Sequence, residues 1–375
     1  MKILLTGGGS GGHFYPIIAV AEGINRIVKE ERLIAPQLFF MSDSPYDIGA
    51  LIENKITFVK IKAGKMRKYF SILNFFDAIA ASIGIVSALI KVYGIFPDVV
   101  FSKGAYASFP VLVAARILRI PVIIHESDSA PGRVNKWAGK FAEKIALSYP
   151  DAGKFFDPKR TAFTGNPIRK EILNPITAGA HEFLKLESNL PVILVMGGSL
   201  GAQIINDAVV DALPALVENY QIIHQVGKNN IKESLKMADI VLAGNPKKGR
   251  YKPFDYLNNL AMSMSAGVAD LVISRAGSAI FEIAAWGIPS IIIPITNSVS
   301  NHQRNNAYSY ARSGAAAVIE ESNLSDNILV SEANRIIRNK VENEKMRKSA
   351  KEFAKLDAAE KIAREIIHIG LKHER

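Results

Sequence analysis

The sequence predicts an α/β protein built from two doubly wound parallel-sheet domains, and three of its features point there. Short apolar runs alternate with helical patterns through the first half, the alternation pauses at a stretch rich in turn residues, and it then restarts. Each half also opens with an apolar run leading straight into a glycine cluster, residues 7–12 in the first and 197–202 in the second. Strands alternating with helices make βαβ units and hence a parallel sheet. At 375 residues the chain exceeds the size at which one hydrophobic core stops growing. The expected domains are 1–162 and 163–375, with a C-terminal helix at about 345–375 packing back on the first domain.

In the first half, residues 2–5, 37–41, 57–61, 99–101, 122–125 and 144–147 read as buried strands, and 15–29 and 109–118 as helices. The long apolar region 69–96 is interrupted by Asp77 and Lys91, which leaves 78–90 uncharged. That falls short of the roughly 20 apolar residues a spanning helix needs, so a buried or interfacial helix is expected. The segment DPKRTAFTGNP, 157–167, carries two prolines and a Gly-Asn turn and reads as an interdomain linker. In the second half, strands are expected at 192–196, 221–225, 271–274, 290–294 and 316–319. Helices are expected at 202–216, 281–286 and 305–312, and the charged tail 329–371 reads as helical.

Composition narrows the chemistry. The chain has no cysteine, which excludes disulfides, thiolate catalysis and cysteine-held metals. Its first residues run into a glycine turn without the pattern of a secretory signal. A formal charge of +11 favours an anionic partner. Nucleic acid is not expected, because no stacking platform, basic recognition helix or metal finger accompanies the charge.

Gly7, Gly9 and Gly12 fit G-x-G-x-x-G at a strand-to-helix turn, where backbone N–H groups and a helix N-terminus can face a phosphate. A nicotinamide or flavin enzyme would use the same loop, as would a tight turn with no ligand. The nicotinamide reading needs an acidic residue about 20 positions on, and Asp43 lies too far along for a comfortable fit. His13 follows the loop. A helix N-terminus disfavours the imidazolium, so His13 suits a general base beside a phosphate, or a histidine that merely bonds its own loop. The second cluster, 197–202, again places N–H groups and the Ser199 hydroxyl at a helix start. Glu282, after Ser274-Arg275-Ala276-Gly277-Ser278, could accept the paired hydroxyls of a ribose or simply complement a helix dipole. His302, Gln303 and Asn306 begin a later helix. A transferase, a nicotinamide oxidoreductase and a non-catalytic nucleotide-sugar-binding subunit all remain open on these residues alone.

Seven segments occur in the order of one family: His13 in GGGSGGHFYP, Gly104-Ala105-Tyr106, His125-Glu126 in IPVIIHES, Thr164-Gly165-Asn166-Pro167-Ile168-Arg169, 197–202, 274–277 and 302–307. Over residues 1 to about 324 the chain resembles the MurG family of peptidoglycan glycosyltransferases. The resemblance implies a GT-B fold, two Rossmann-like domains facing a cleft, with a lipid acceptor on the first and UDP-N-acetylglucosamine on the second. It implies inverting transfer of N-acetylglucosamine to the muramoyl 4-hydroxyl of undecaprenyl-diphosphoryl-N-acetylmuramoyl-pentapeptide (lipid I), forming lipid II, with no metal or cofactor. By the same resemblance His13 is the catalytic base or a phosphate contact, and Ser10, Gly11, Gly12, Asp128, Arg169, Ser199, Glu282 and Gln303 bind the donor. Gly9, Gly104, Tyr106, His125 and Glu126 belong to the acceptor and phosphate loops. Two departures are visible: Asp128 stands where the family usually has asparagine, and the stretch from Gly277 to Glu282 is one residue short and lacks a threonine.

A lipid-linked acceptor implies a membrane partner, and the family's place is the cytoplasmic face of the bacterial membrane, beside other cell-wall synthesis proteins. Lys60, Lys62, Lys65, Arg67 and Lys68 precede Tyr69-Phe70, Ile72-Leu73 and Phe75-Phe76. Cations beside aromatic side chains make a docking patch for anionic lipid, at about 1 kcal/mol per cation near the surface. A solvated loop before a core helix would show the same pattern.

Overall fold

The computed structural model describes residues 1–8, 10–62, 73–197, 202–296 and 301–373, with 73–81 as helical backbone alone. It divides into two compact units, Met1–Arg169 with Leu356–Arg375, and Lys170–Lys355.

The first unit holds a seven-stranded sheet of β1 (Lys2–Thr6), β2 (Gln37–Ser42), β3 (Ile56–Lys60), β4 (Val99–Ser102), β5 (Val122–Glu126), β6 (Lys144–Leu147) and β7 (Thr161–Phe163). Every pairing is parallel and the order is β3-β2-β1-β4-β5-β6-β7. The strands are apolar runs because both faces are covered. On one face Ile3, Leu5, Phe101 and Ile123 pack with Phe14 and Ile17 of α1 (Gly11–Glu30). On the other, Leu4, Val100, Val122 and Ile124 pack with helix α3 (Leu73–Ile95), through Ala88 and Val92, and α4 (Phe109–Ile117), through Val111 and Leu112. The short α2 (Ile48–Glu53) precedes β3, and α5 (Arg133–Ala138) follows β5. The sheet order reverses between β1 and β4, and in such sheets ligands bind at the carboxyl ends of the strands on either side of that point.

In the second unit β8 (Val192–Met196), β9 (Gln221–Gln225), β10 (Tyr251–Phe254), β11 (Ala269–Ser274), β12 (Ser290–Ile292) and β13 (Ala316–Val318) form a parallel sheet of order β10-β9-β8-β11-β12-β13. Its helices are α6 (Lys170–Leu173), α7 (Ala180–Phe183), α8 (Gln203–Leu216), α9 (Ile231–Val241), α10 (Asn259–Val268), α11 (Ala279–Trp286), α12 (His302–Ala311), α13 (Asp326–Arg338) and α14 (Lys340–Phe353). The order reverses between β8 and β11, the same device as in the first sheet.

Several expectations need correction. Segment 157–167 is not simply a linker: Pro158–Arg160 makes a 3-10 turn and Thr161–Phe163 is the edge strand β7, paired to β6. The first helix begins at Gly11 rather than residue 15, so the last two glycines of the loop lie inside its first turn. The α12 helix begins at His302, as its first residues suggested, so the pattern over 305–312 marked only its later part. The tail is three helices, α13, α14 and α15 (Ala358–His373), broken at Asn339 and at Ala354, both in extended backbone.

The α15 helix returns to the first unit. Ile362, Ile366 and Ile369 enter its core, and the Arg26 guanidinium meets Glu360 at 2.8 Å. A side chain at Gly23 would come within 3.1 Å of the Ala359 carbonyl, so glycine is what lets α1 and α15 approach so closely. Ile366 is wholly buried. Ile366→Ala should cost about 2–5 kcal/mol of the first unit's stability through lost burial and a residual cavity. Urea unfolding followed by circular dichroism checks this, and an unchanged midpoint would mean that α15 does not stabilise the unit.

Candidate functional site

The first sheet gathers its chemistry at the carboxyl ends of β1, β4 and β5. After β1 the chain turns tightly against its neighbours: a side chain at Gly7 would come within 2.8 Å of Ile17, and one at Gly8 within 2.5 Å of the Ser42 hydroxyl. Ser10 stands at the N-cap of α1, where its carbonyl accepts from the N–H of His13 and of Phe14, each at 3.1 Å. Its hydroxyl is not used for capping and lies 3.0 Å from His13 Nδ1. Burial, then the Lys103 ammonium, pulls the His13 pKa down to about 4 against the opposing carboxylate of Asp128. His13 is thus neutral at pH 7, by burial and a neighbouring cation as well as by its place in the helix's first turn.

Lys103, the residue after β4, is buried. Its ammonium lies 2.6 Å from His125 Nδ1 and donates to Asn166 Oδ1 at 2.9 Å. Burial lowers the ammonium pKa to about 7, opposed by the carboxylates of Glu126 and Asp128. Because Nδ1 of His125 faces a cationic donor, its ring proton belongs on Nε2, which lies 3.0 Å from the Gly165 carbonyl and 3.2 Å from Ser148 Oγ. Burial and Lys103 together hold His125 well below the ordinary histidine range.

Glu126 ends β5 and accepts three hydrogen bonds, from the backbone N–H of Asp128 (2.9 Å) and Gly132 (3.1 Å) and from Asn135 Nδ2 (2.9 Å). Burial and the nearby Asp128 charge nevertheless push it up to about 7. Gly104, at φ +80°, lies flat against the Asn135 amide, where a side chain would come within 2.8 Å. Tyr106 donates to Asp43 at 3.0 Å, and Ser42 donates to the other oxygen of that carboxylate at 3.2 Å. Arg169, the last residue of the unit's main stretch, stacks its guanidinium 3.7 Å from the centre of the Tyr15 ring. Tyr15 in turn donates to Asp47 at 3.3 Å.

Of the sequence candidates, Ser10, Gly11, Gly12, His13, Gly104, Tyr106 and Asp128 lie on the turns and first turns after these strands, His125 and Glu126 are the last two residues of β5, and Arg169 reaches Tyr15 of α1 from the segment after β7. His125 and Glu126 are buried, at 0% and 3% exposure. Gly9 and Ser199 lie outside the described residues. Lys103 was not foreseen: nothing in VVFSKG separates an inward lysine from a surface one.

In the second unit, Glu282 lies half-buried in the first turn of α11. The Gln303 side chain accepts from the Ile295 N–H at 3.1 Å, and Asn306 donates to the Ala276 carbonyl at 3.2 Å. These two bonds tie the start of α12 to the chain leaving β12 and β11. Arg275 also binds there, to Glu321 at 2.6 Å and to the Ile293 carbonyl at 3.1 Å, a brace the sequence did not reveal. Among the described residues, nothing lies within 4 Å of where a side chain at Gly277 would stand.

Comparison with known proteins agrees with this architecture. Residues 3–147 match the glycosyltransferase family 28 N-terminal domain, and residues 192–362 match the family's C-terminal domain. The UDP-N-acetylglucosamine--N-acetylmuramyl-(pentapeptide) pyrophosphoryl-undecaprenol N-acetylglucosamine transferase 2 of Bacillus thuringiensis subsp. konkukian is 35% identical over 97% of this chain and 99% of its own. The corresponding transferase of Clostridium novyi is 35% identical over 90% of this chain and 91% of its own. Among solved structures, MurG of Acinetobacter baumannii superposes with a TM-score of 0.72 at 23% identity, covering 98% of this chain and 99% of that one. The UDP-GlcNAc 2-epimerase of Neisseria meningitidis, solved with UDP-GlcNAc, gives 0.68 at 14% identity, covering 98% of this chain and all of that one. With two parallel-sheet units of the GT-B kind and relatives of this identity along nearly its whole length, the chain belongs to the MurG family of glycosyltransferases.

Proposed function

We propose that the protein transfers N-acetylglucosamine from UDP-N-acetylglucosamine to the muramoyl 4-hydroxyl of lipid I, with inversion, and releases lipid II and UDP. The observation that carries this reading is His13, kept neutral at the first turn of a helix whose N-terminus follows a glycine loop. A neutral imidazole can take the proton of the attacking hydroxyl as the new bond forms at the sugar's anomeric carbon. The bond from that carbon to the UDP oxygen breaks, and its electron pair leaves with UDP. The cationic Arg169 and the N–H groups of helix N-termini offset the charge developing on the diphosphate. Ser10, Gly11, Gly12, Asp128, Ser199 and Gln303 complete the donor contacts, with Glu282 accepting from the ribose hydroxyls. Gly9, Gly104 and Tyr106, with the buried His125 and Glu126, serve the acceptor's side.

The acceptor's polyprenyl tail must stay in a bilayer, so the first unit needs a membrane-facing surface. Among the described residues no helix is long and apolar enough to cross a membrane. The α3 helix offers a surface contact instead: Ile83, Val86, Ile90 and Tyr93 recur at three- and four-residue spacing and are each more than half exposed, while Ala88 and Val92 face the core. Exposed Lys62 lies beside this stripe, its carbonyl against Gly84. Lys65, Arg67 and Lys68 fall in the stretch outside the described residues. We place the protein at the cytoplasmic face of the membrane, alongside other cell-wall enzymes.

Release of UDP from UDP-N-acetylglucosamine should depend on a water-soluble lipid I analogue, and His13→Ala should lower turnover about 10²–10⁴-fold with little change in donor affinity. Wild-type turnover in that variant would remove His13 from the role of base.

The His13 pKa also sets a pH dependence. A depressed pKa means that the ring takes up its proton only near pH 4, well below the ordinary value of 6.5. The acid limb of kcat/KM for the acceptor should therefore lie below pH 6. Carbon-13 NMR of labelled histidine should show a His13 ring that does not titrate between pH 7.5 and 5.5, whereas a midpoint near 6.5 would contradict this electrostatic account.

Vesicle binding should rise with anionic lipid and fall with salt, since exposed charges are screened over about 8 Å at physiological ionic strength. Replacing Lys65, Arg67 and Lys68 by serine should remove the salt-sensitive part. Ile83→Ser with Ile90→Ser should remove much of the remainder, and both variants should retain activity on the soluble analogue. Co-sedimentation equal to wild type in both would put the docking surface elsewhere.

A further inference from the structure

One buried ionisable group has no part in the transfer chemistry above. Lys103 is 1% exposed, too deep to touch either substrate, and holding an ammonium there has a cost unless its surroundings repay it. Its partners lie in one direction. The ammonium donates to the Asn166 side chain at 2.9 Å and meets His125 at 2.6 Å, and His125 reaches the Gly165 carbonyl at 3.0 Å. Two consecutive residues of the segment 164–169 are thus gripped by a single lysine–histidine pair rooted at the ends of β4 and β5. Gly165 sits at φ +83°, a left-handed turn that redirects the chain after β7, and Asn166 also donates to the Pro167 carbonyl at 3.3 Å. Proline fixes its own backbone angle, so little freedom remains before Arg169, whose guanidinium lies over Tyr15.

We infer that Lys103 is a positioning residue for the transfer reaction: through His125, Gly165 and Asn166 it fixes the strap that delivers Arg169 to its place above Tyr15. The inference rests on the reading that Arg169 contacts the donor, but its first test does not. Stacking on Tyr15 shifts the Arg169 side-chain protons upfield by ring current. In Lys103→Met that shift should diminish, because Asn166 and His125 lose their common donor and the strap relaxes. A second variant, Asn166→Ser, removes the acceptor while keeping the lysine. It should have the same effect, and it covers the case in which Lys103→Met fails to fold.

The kinetic test is a double-mutant cycle. Lys103→Met and Asn166→Ser should each raise the donor KM about tenfold, and neither should raise it further in an Arg169→Ala background. General loss of stability would instead multiply with the Arg169 effect. An unchanged Arg169 ring-current shift in both variants, or fully multiplicative effects on donor KM, would overturn the inference. A lost ring-current shift together with a wild-type donor KM in Arg169→Ala would leave the positioning role intact and refute the donor role of Arg169 instead.

Discussion

A charge taken out of water must be answered by its neighbours, and the first unit is arranged around that requirement. Lys103, His125 and Glu126 are all buried at the carboxyl edge of one sheet, where an unpaired ion would cost several kcal/mol. The lysine is met by a ring nitrogen and a side-chain carbonyl, and the glutamate by three N–H donors. Much follows from these bonds: the tautomer of His125, the path of residues 126–135 and the departure of the chain after β7. What surrounds the glycine loop is therefore a rigid polar floor rather than a set of mobile side chains.

The second sheet meets a similar need by another route. Its loops at β11 and β12 are braced from the outside, by the Arg275–Glu321 pair and by side chains of α12 that bond backbone groups of the incoming chain. Ionised partners that are both mostly buried, at 13% and 12% exposure, hold those loops. The two units share an architecture, yet one supports its loops from beneath and the other from behind.

What the sequence disclosed followed from how local each signal was. Central strands were legible because burial on both faces makes them continuous apolar runs, and the first glycine loop because close approach at Gly7 and Gly8 admits little else. Of the four edge strands β3 and β13 were legible, but two were not: β10 reads Tyr-Lys-Pro-Phe, with a proline and a lysine that suit an edge but spoil the pattern of a strand, and β7 is three residues long between prolines. His13 could be singled out from its place after the loop. Lys103 could not, because only the fold decides that this lysine points inward to residues 22 and 63 positions away. The Arg275–Glu321 brace spans 46 residues and escaped for the same reason.

The return of α15 to the first unit also bears on the order of assembly during synthesis. Domains generally fold as units, N-terminal first, as the chain leaves the ribosome. Here the first unit's apolar layer is missing Ile362, Ile366 and Ile369 until the whole of Lys170–Lys355 has been made, whereas Lys170–Lys355 is contiguous. Until then the nascent first unit has one face of its sheet partly uncovered. The contiguous second unit has all its own strands before that helix is made, so the strands of the first unit depend on a helix that follows the whole of the second.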